Sequence, residues 1–177
     1  MAKIRVATLL YDSIVDGPGL RNVLFVQGCS HHCLGCHNPE SWNPLGAKEV
    51  DTDEIIQLLL DHPTRNLTLS GGEPFEQAAA LVEIVKALKP YQFNLWSYSG
   101  YTLQQLQNGS DKQQELLSHL DVLVDGPFIL AKRNLELLYK GSSNQRIIDL
   151  NASRDQNKIV LYPLPNETEV KKVQLYI

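Results

Sequence analysis

At 177 residues, with 43% hydrophobic and 20% charged side chains, the chain can bury a core of its own and needs no disulfide framework to fold. Sixteen basic against twenty acidic residues give a net charge of −4 and a pI near 5.7, which argues against a nucleic-acid partner. No apolar run approaches the ~20 residues that a membrane-spanning helix needs, so no membrane partner is expected either.

The chain opens Met1-Ala2-Lys3-Ile4-Arg5-Val6, without the apolar region or small-residue cleavage site of an export signal. Three cysteines, all clustered, then predict a reducing, cytoplasmic location. Asp16-Gly17-Pro18-Gly19-Leu20-Arg21 is a turn-rich run in which Arg21 reads as a solvated charge. Its functional alternative is a wall of a site or a docking surface. Residues 22–27 carry the pattern of a buried strand, which ends at Gly28 and the loop Cys29-Ser30-His31-His32-Cys33-Leu34-Gly35-Cys36.

Three thiolates from one loop can hold three irons of a 4Fe–4S cubane and leave the fourth iron open to an exogenous ligand. Other chemistry fits the same loop. Cys33-Leu34-Gly35-Cys36-His37 matches the haem-attachment pattern, and Cys33 with Cys36 alone matches a thioredoxin-like pair. Haem attachment normally follows export, and the dithiol reading leaves Cys29 unexplained. A zinc site completed by His31, His32 or His37 has plausible ligand chemistry, although these histidines fit solvent or supporting positions better than iron ligation. The cysteine loop alone leaves these readings open.

Further along, residues 52–61 predict a helix capped by Asp51 or Thr52, with Ile55, Ile56, Leu59 and Leu60 as its apolar face. Residues 66–70 form the next strand, ending at Gly71-Gly72-Glu73-Pro74. Residues 76–88 have a strong helical pattern. A third strand over 93–97 ends at Tyr98-Ser99-Gly100-Tyr101; helical stretches over 103–117 break near Asn108-Gly109; a fourth strand over 121–124 ends at Asp125-Gly126-Pro127-Phe128. Asp125 could orient a ligand hydroxyl or simply form a turn. Residues 141–146 read as a polar loop, and Trp42 and Trp96 as core aromatics. Residues 158–162 and 170–177 look like two further strands with no readable function.

The alternation predicts an α/β fold with a parallel sheet and right-handed crossovers. Its strand-end loops would gather at one edge, where ligands bind. A closed eight-unit barrel needs about 250 residues, so a partial, open (β/α) barrel of four to six strands is expected. Its uncovered flank would suit a protein segment as substrate. The whole, residues 1–177, is expected to be one domain with a core over about 16–150 and an extension of unassigned role over 151–177.

Cys-x-x-x-Cys-x-x-Cys followed by a strand-borne Gly-Gly-Glu-Pro is similar to the radical S-adenosylmethionine superfamily. The Asp16–Arg21 run, Gly28-Cys29, Cys36-His37-Asn38-Pro39 and Trp42 narrow the resemblance to the glycyl-radical activases. Val124-Asp125-Gly126-Pro127-Phe128 with Gly141-Ser142-Ser143-Asn144-Gln145-Arg146 resembles those serving anaerobic ribonucleotide reductase. Gly35 departs from the aromatic residue usual in the superfamily and agrees with this narrower group. The resemblance implies a radical SAM fold in which Cys29, Cys33 and Cys36 hold a 4Fe–4S cluster and S-adenosyl-L-methionine chelates the open iron. It further implies Gly71, Gly72 and Glu73 at the amino group, Gly35, Cys36 and His37 along the adenosyl moiety, and Ser97 to Ser99 at the ribose or carboxylate. The implied partners are a glycyl radical enzyme, the large subunit of anaerobic ribonucleotide reductase, and a one-electron donor such as flavodoxin. Competing readings are a pyruvate formate-lyase-type activase, a 7-deazaguanine-forming enzyme, and a non-catalytic zinc or iron–sulfur module.

Overall fold

The computed structural model describes residues 2–164. The predicted strand over 170–177 lies outside them. Four parallel strands form the centre: β2 (Arg21–Val26), β4 (Asn66–Gly71), β5 (Asn94–Tyr98) and β6 (Val122–Asp125). Around them run β1 (Lys3–Ser13) and β3 (Glu49–Asp51) on one side and β7 (Arg146–Asp149) on the other, all antiparallel to their neighbours. The order β3-β1-β2-β4-β5-β6-β7 puts β3 and β7 at the two ends of the sheet. This is the expected open α/β sheet, but with seven strands rather than four to six, and mixed rather than wholly parallel.

The three unexpected strands share a physical reason for having been missed. β1 is mostly exposed, with only Ile4 and Ser13 buried, and a bulge between Val6 and Thr8 breaks its alternation. β3 and β7 span only three and four residues. Conversely, residues 158–162 form no strand: a single bridge from Leu161 to Ile148 is what the sheet accepts there.

The helices are α1 (Thr52–Asp61), α2 (Ala78–Leu88), α3 (Leu103–Gln107), α4 (Asp111–His119) and α5 (Leu150–Gln156). α2 starts two residues later than its periodicity suggests, because Pro74–Gln77 forms a 3-10 turn. The helix-facing side of the sheet buries Leu24, Val26, Leu67, Leu69, Leu95 and Leu123 against Leu59, Leu81, Ile84, Val85 and Leu116. Alternation along each strand sends the intervening residues to the opposite, concave side.

That concave side is polar at its floor. Arg21, 1% exposed, donates through Nε to Thr68 Oγ1 (2.7 Å), through Nη1 to Asn94 Oδ1 (2.9 Å), and through Nη2 to the carbonyls of Leu67 and Asn94 (2.9 and 3.1 Å). Its guanidinium carbon lies 5.1 Å from the Trp96 ring centroid. The solvated charge expected from composition is therefore a buried cation held by four hydrogen bonds. Burial pushes its pKa down to about 10, against the pull of Tyr98, Tyr162, Asp121 and Asp16, and it stays charged at neutral pH. The Asp16–Arg21 turn folds over this layer, with the Asp16 carbonyl accepting from Thr68 Oγ1 at 2.8 Å.

Candidate active site

The parallel register aligns the C-terminal ends of β2, β4, β5 and β6, with Val26 beside Gly71 and Tyr98 beside Val124. The four loops that leave those ends surround one cavity of about 570 Å³. Its walls include Cys29, Cys33, Cys36 and His37 from the first loop, Gly71, Gly72 and Glu73 from the second, Ser99 and Gly100 from the third, and Gly126 and Phe128 from the fourth. Phe25, Ser70 and Tyr98 project into it from the concave face. The convergence expected from βα alternation is what the structure brings about.

The three cysteines are free thiols, each half-buried. Burial pushes the Cys29 thiol up to about 11; the main-chain amides of His31 and His32 pull it back, while Glu73 and Glu76 add to the rise. Binding of a metal centre must therefore release a proton from Cys29. Among the described residues, no three His, Cys, Asp or Glu side chains converge on one point as ligands of a single ion would. The donor set fits a multi-iron cluster: three soft sulfur donors on one cavity wall, with no fourth thiol in the chain.

The histidines are committed elsewhere. His31 Nε2 donates to Glu73 Oε2 at 2.9 Å, a bond that raises its pKa above the ordinary value against the opposing effect of burial. His32 packs edge-on against Trp42, and His37 lies against Phe128. Trp42, read from sequence as a core aromatic, instead lines the cavity, and its buried Nε1 finds no acceptor among the described residues.

The Gly71-Gly72 pair is required by a close approach of two backbones. A Cβ on Gly72 would stand 2.2 Å from the Gly28 carbonyl oxygen, and one on Gly71 would stand 2.6 Å from main-chain atoms of Val26. Gly72 N donates to the Val26 carbonyl and Glu73 N to that of Gly28, both at 2.8 Å, zipping the second loop onto the first. Gly35 sits just outside the cavity wall at φ +76°, where a Cβ would meet Leu130 at 2.9 Å. Leu130 thus covers the cysteine loop at Gly35, the position where an aromatic is usual.

The other predicted residues divide. Ser99 reaches the cavity, with its hydroxyl on Glu73 Oε1 at 3.0 Å. Ser97 does not line it; fully buried, its hydroxyl bonds to the Tyr98 carbonyl. Asp125 is 1% exposed and accepts from the Leu103 amide (2.8 Å) and from Arg146 Nε (2.9 Å), which makes it a clamp between α3 and β7.

Residues missed by sequence reasoning come from the segment between β6 and β7, which contributes Leu137, Tyr139, Lys140, Gly141 and Gln145 to the wall. Gln145 holds this segment by donating to the Gly126 carbonyl (3.0 Å) and accepting from the amides of Gly141 and Ser142 (2.9 and 3.2 Å). The Gly141–Arg146 run was visible as a motif. The wall it supports has no periodicity to betray it.

Residues 15–148 match the family of 4Fe-4S single cluster domains. The anaerobic ribonucleoside-triphosphate reductase-activating protein of Vibrio cholerae is 40% identical over 144 residues, covering 76% of this chain and 90% of that protein. Those of Enterobacteria phage T4 and Escherichia coli K12 are 37% and 34% identical, covering 75% of this chain and 86% and 90% of theirs. The chain belongs to this family of reductase-activating proteins. In structure it resembles QueE from Escherichia coli, with a TM-score of 0.50, 14% identity and coverage of 56% of this chain and 53% of that one. That likeness is one of fold. Among the described residues, no helix is long and apolar enough to cross a membrane.

Proposed function

We propose that this member of the activating-protein family generates a glycyl radical on the large subunit of an anaerobic ribonucleotide reductase. The observation that carries the reading is the placement of three free thiols on one wall of a 570 Å³ cavity at the ends of four parallel strands. The chain's 40% identity to a named activating protein accompanies it. Cys29, Cys33 and Cys36 would hold a 4Fe–4S cluster, leaving one iron for the amino and carboxylate groups of S-adenosyl-L-methionine. Bound there, the cluster would supply one-electron reductive cleavage of the sulfonium, the chemistry needed to take a hydrogen atom from a glycine Cα.

The residues of this chain supply position and exclusion. Gly71, Gly72 and Glu73 line the cavity, and their main chain would meet the methionine amino group, with the Ser99 hydroxyl held on Glu73. Cys36 and His37, with Phe128 against His37, border the space for the adenosyl moiety, and Gly35 with Leu130 closes the loop behind it. The Tyr98 hydroxyl donates to the Tyr139 carbonyl at 2.9 Å, so its O–H is directed at the main chain. The electron donor is read as a small external one-electron carrier such as flavodoxin.

The test is anaerobic reconstitution with iron and sulfide, then EPR of the reduced protein with and without S-adenosyl-L-methionine. Assay of 5′-deoxyadenosine and of a glycyl signal on added reductase follows. The expected result is a cubane signal that changes on adding the sulfonium, with a glycyl signal that needs all components. A cluster indifferent to S-adenosyl-L-methionine would overturn the reading, as would cleavage that leaves the reductase unactivated.

A further inference from the structure

The Glu73 carboxylate has about four acceptor sites, and the fold fills them all. Oε1 accepts from the Phe75 amide and the Ser99 hydroxyl, each at 3.0 Å. Oε2 accepts from the Gly100 amide at 2.8 Å and from His31 Nε2 at 2.9 Å. With its side chain 1% exposed, no lone pair remains to offer a ligand. These four donors belong to three different loops of the site.

His31 is held with equal closeness. Its ring lies edge-on to Tyr101, with centroids 4.5 Å apart, and a Cβ on Gly100 would stand 2.4 Å from it. Next to it, Ser30 is tied to Glu76 Oε1 by both its amide (2.9 Å) and its hydroxyl (2.5 Å).

We propose, resting on the function given above, that His31 is a positioning residue anchored on Glu73. It fixes the chain between Cys29 and Cys33 against the ends of β4 and β5. Glu73 then serves the site through that anchor rather than by touching the ligand, and contacts to the methionine amino group fall to main-chain atoms of the Gly71–Glu73 turn.

The experiment compares His31→Ala, His31→Gln and Glu73→Gln in the full chain. Its first readout is amide hydrogen exchange of residues 29–36 in the cluster-free protein, which depends on no ligand. His31→Ala is expected to speed exchange in that segment about tenfold, the loss of one charge-assisted hydrogen bond, while β4 and β5 keep their protection. His31→Gln should restore it, since its amide N–H reaches the same carboxylate. The double variant His31→Ala/Glu73→Gln should loosen the loop no more than the worse single change, as expected of groups acting as a unit.

Wild-type exchange in His31→Ala would overturn the proposal. So would a Glu73→Gln variant that weakens S-adenosyl-L-methionine binding with the cysteine loop undisturbed, because Glu73 would then touch the ligand directly. If His31→Ala loses protection throughout the sheet, Glu73→Gln decides, and wild-type loop protection there overturns the anchor. Failure of the wild-type cluster to respond to S-adenosyl-L-methionine would instead sink the activase reading and leave the exchange result standing.

Discussion

The two faces of the central sheet are built on different physics. The helix-facing side is an ordinary apolar core of Leu, Ile and Val, stabilised by the area it removes from water. The concave side sets Arg21, Thr68 and Asn94 under Trp96 and Tyr98, and its polar groups are tolerable because they are paired. Only the second face ends in the cavity. An open barrel of this size has no closed ring of branched side chains to fill its interior, and the folded-in Asp16–Arg21 turn with its buried cation shares that space with a small cluster of Trp96, Val122, Val124 and Ile147.

This contrast can be broken or sharpened by substitution. The largest effect is expected at the rim. Cys33→Ala should abolish cluster assembly and S-adenosyl-L-methionine cleavage while thermal unfolding of the cluster-free protein barely moves. Retained cleavage would end the assignment of that loop.

On the polar floor, Arg21→Leu leaves Thr68, Asn94 and the Leu67 carbonyl without their donor and should cost about 3–5 kcal/mol in denaturant unfolding. On the opposite face, Leu81→Ala should cost about 2–4 kcal/mol by leaving a cavity, with the affinity for S-adenosyl-L-methionine unchanged. If Arg21→Leu proves milder than Leu81→Ala, the concave face is not the structural element described here.

Gly72→Ala would press a Cβ on the Gly28 carbonyl and should cost about 1–3 kcal/mol as overpacking. Unlike Leu81→Ala, it should weaken S-adenosyl-L-methionine binding, measured by titration of the reconstituted protein; unchanged affinity would separate that turn from the ligand. The smallest effect is expected at Leu34, 79% exposed on the cysteine loop. Leu34→Ser should leave stability within about 0.5 kcal/mol, and a larger loss in unfolding experiments would show that the loop is packed more tightly than its exposure indicates.

The helix-facing core was legible because it obeys periodicity. Residues 52–61 became α1 with those limits, and the strands ending before the cysteine loop, Gly71, Ser99 and Gly126 fell within one or two residues of their predicted places. β1 escaped because an exposed strand with a bulge keeps no strict alternation. Arg21 was misplaced because composition carries no information about partners 46 to 73 residues away. Trp42 was assigned to the core because an aromatic that lines a cavity looks the same in sequence as one that fills it.

From the sequence alone came the order of the four parallel strands and the helices between them, the gathering of four loops at one sheet edge, and a three-thiol donor set with no fourth cysteine. These follow from local periodicity, from the handedness of crossovers and from counting. It took the folded state to establish that Glu73 spends its carboxylate on the protein, that Ser97 faces away from the cavity, that Gly71 and Gly72 are small because Val26 and Gly28 press on them, and that the segment between β6 and β7, with Leu10, Val15 and Asp16, completes the wall. Those outcomes depend on pairings between residues far apart in the chain, whose energies are set by distance and desolvation in the folded state and leave no trace in any local window of sequence.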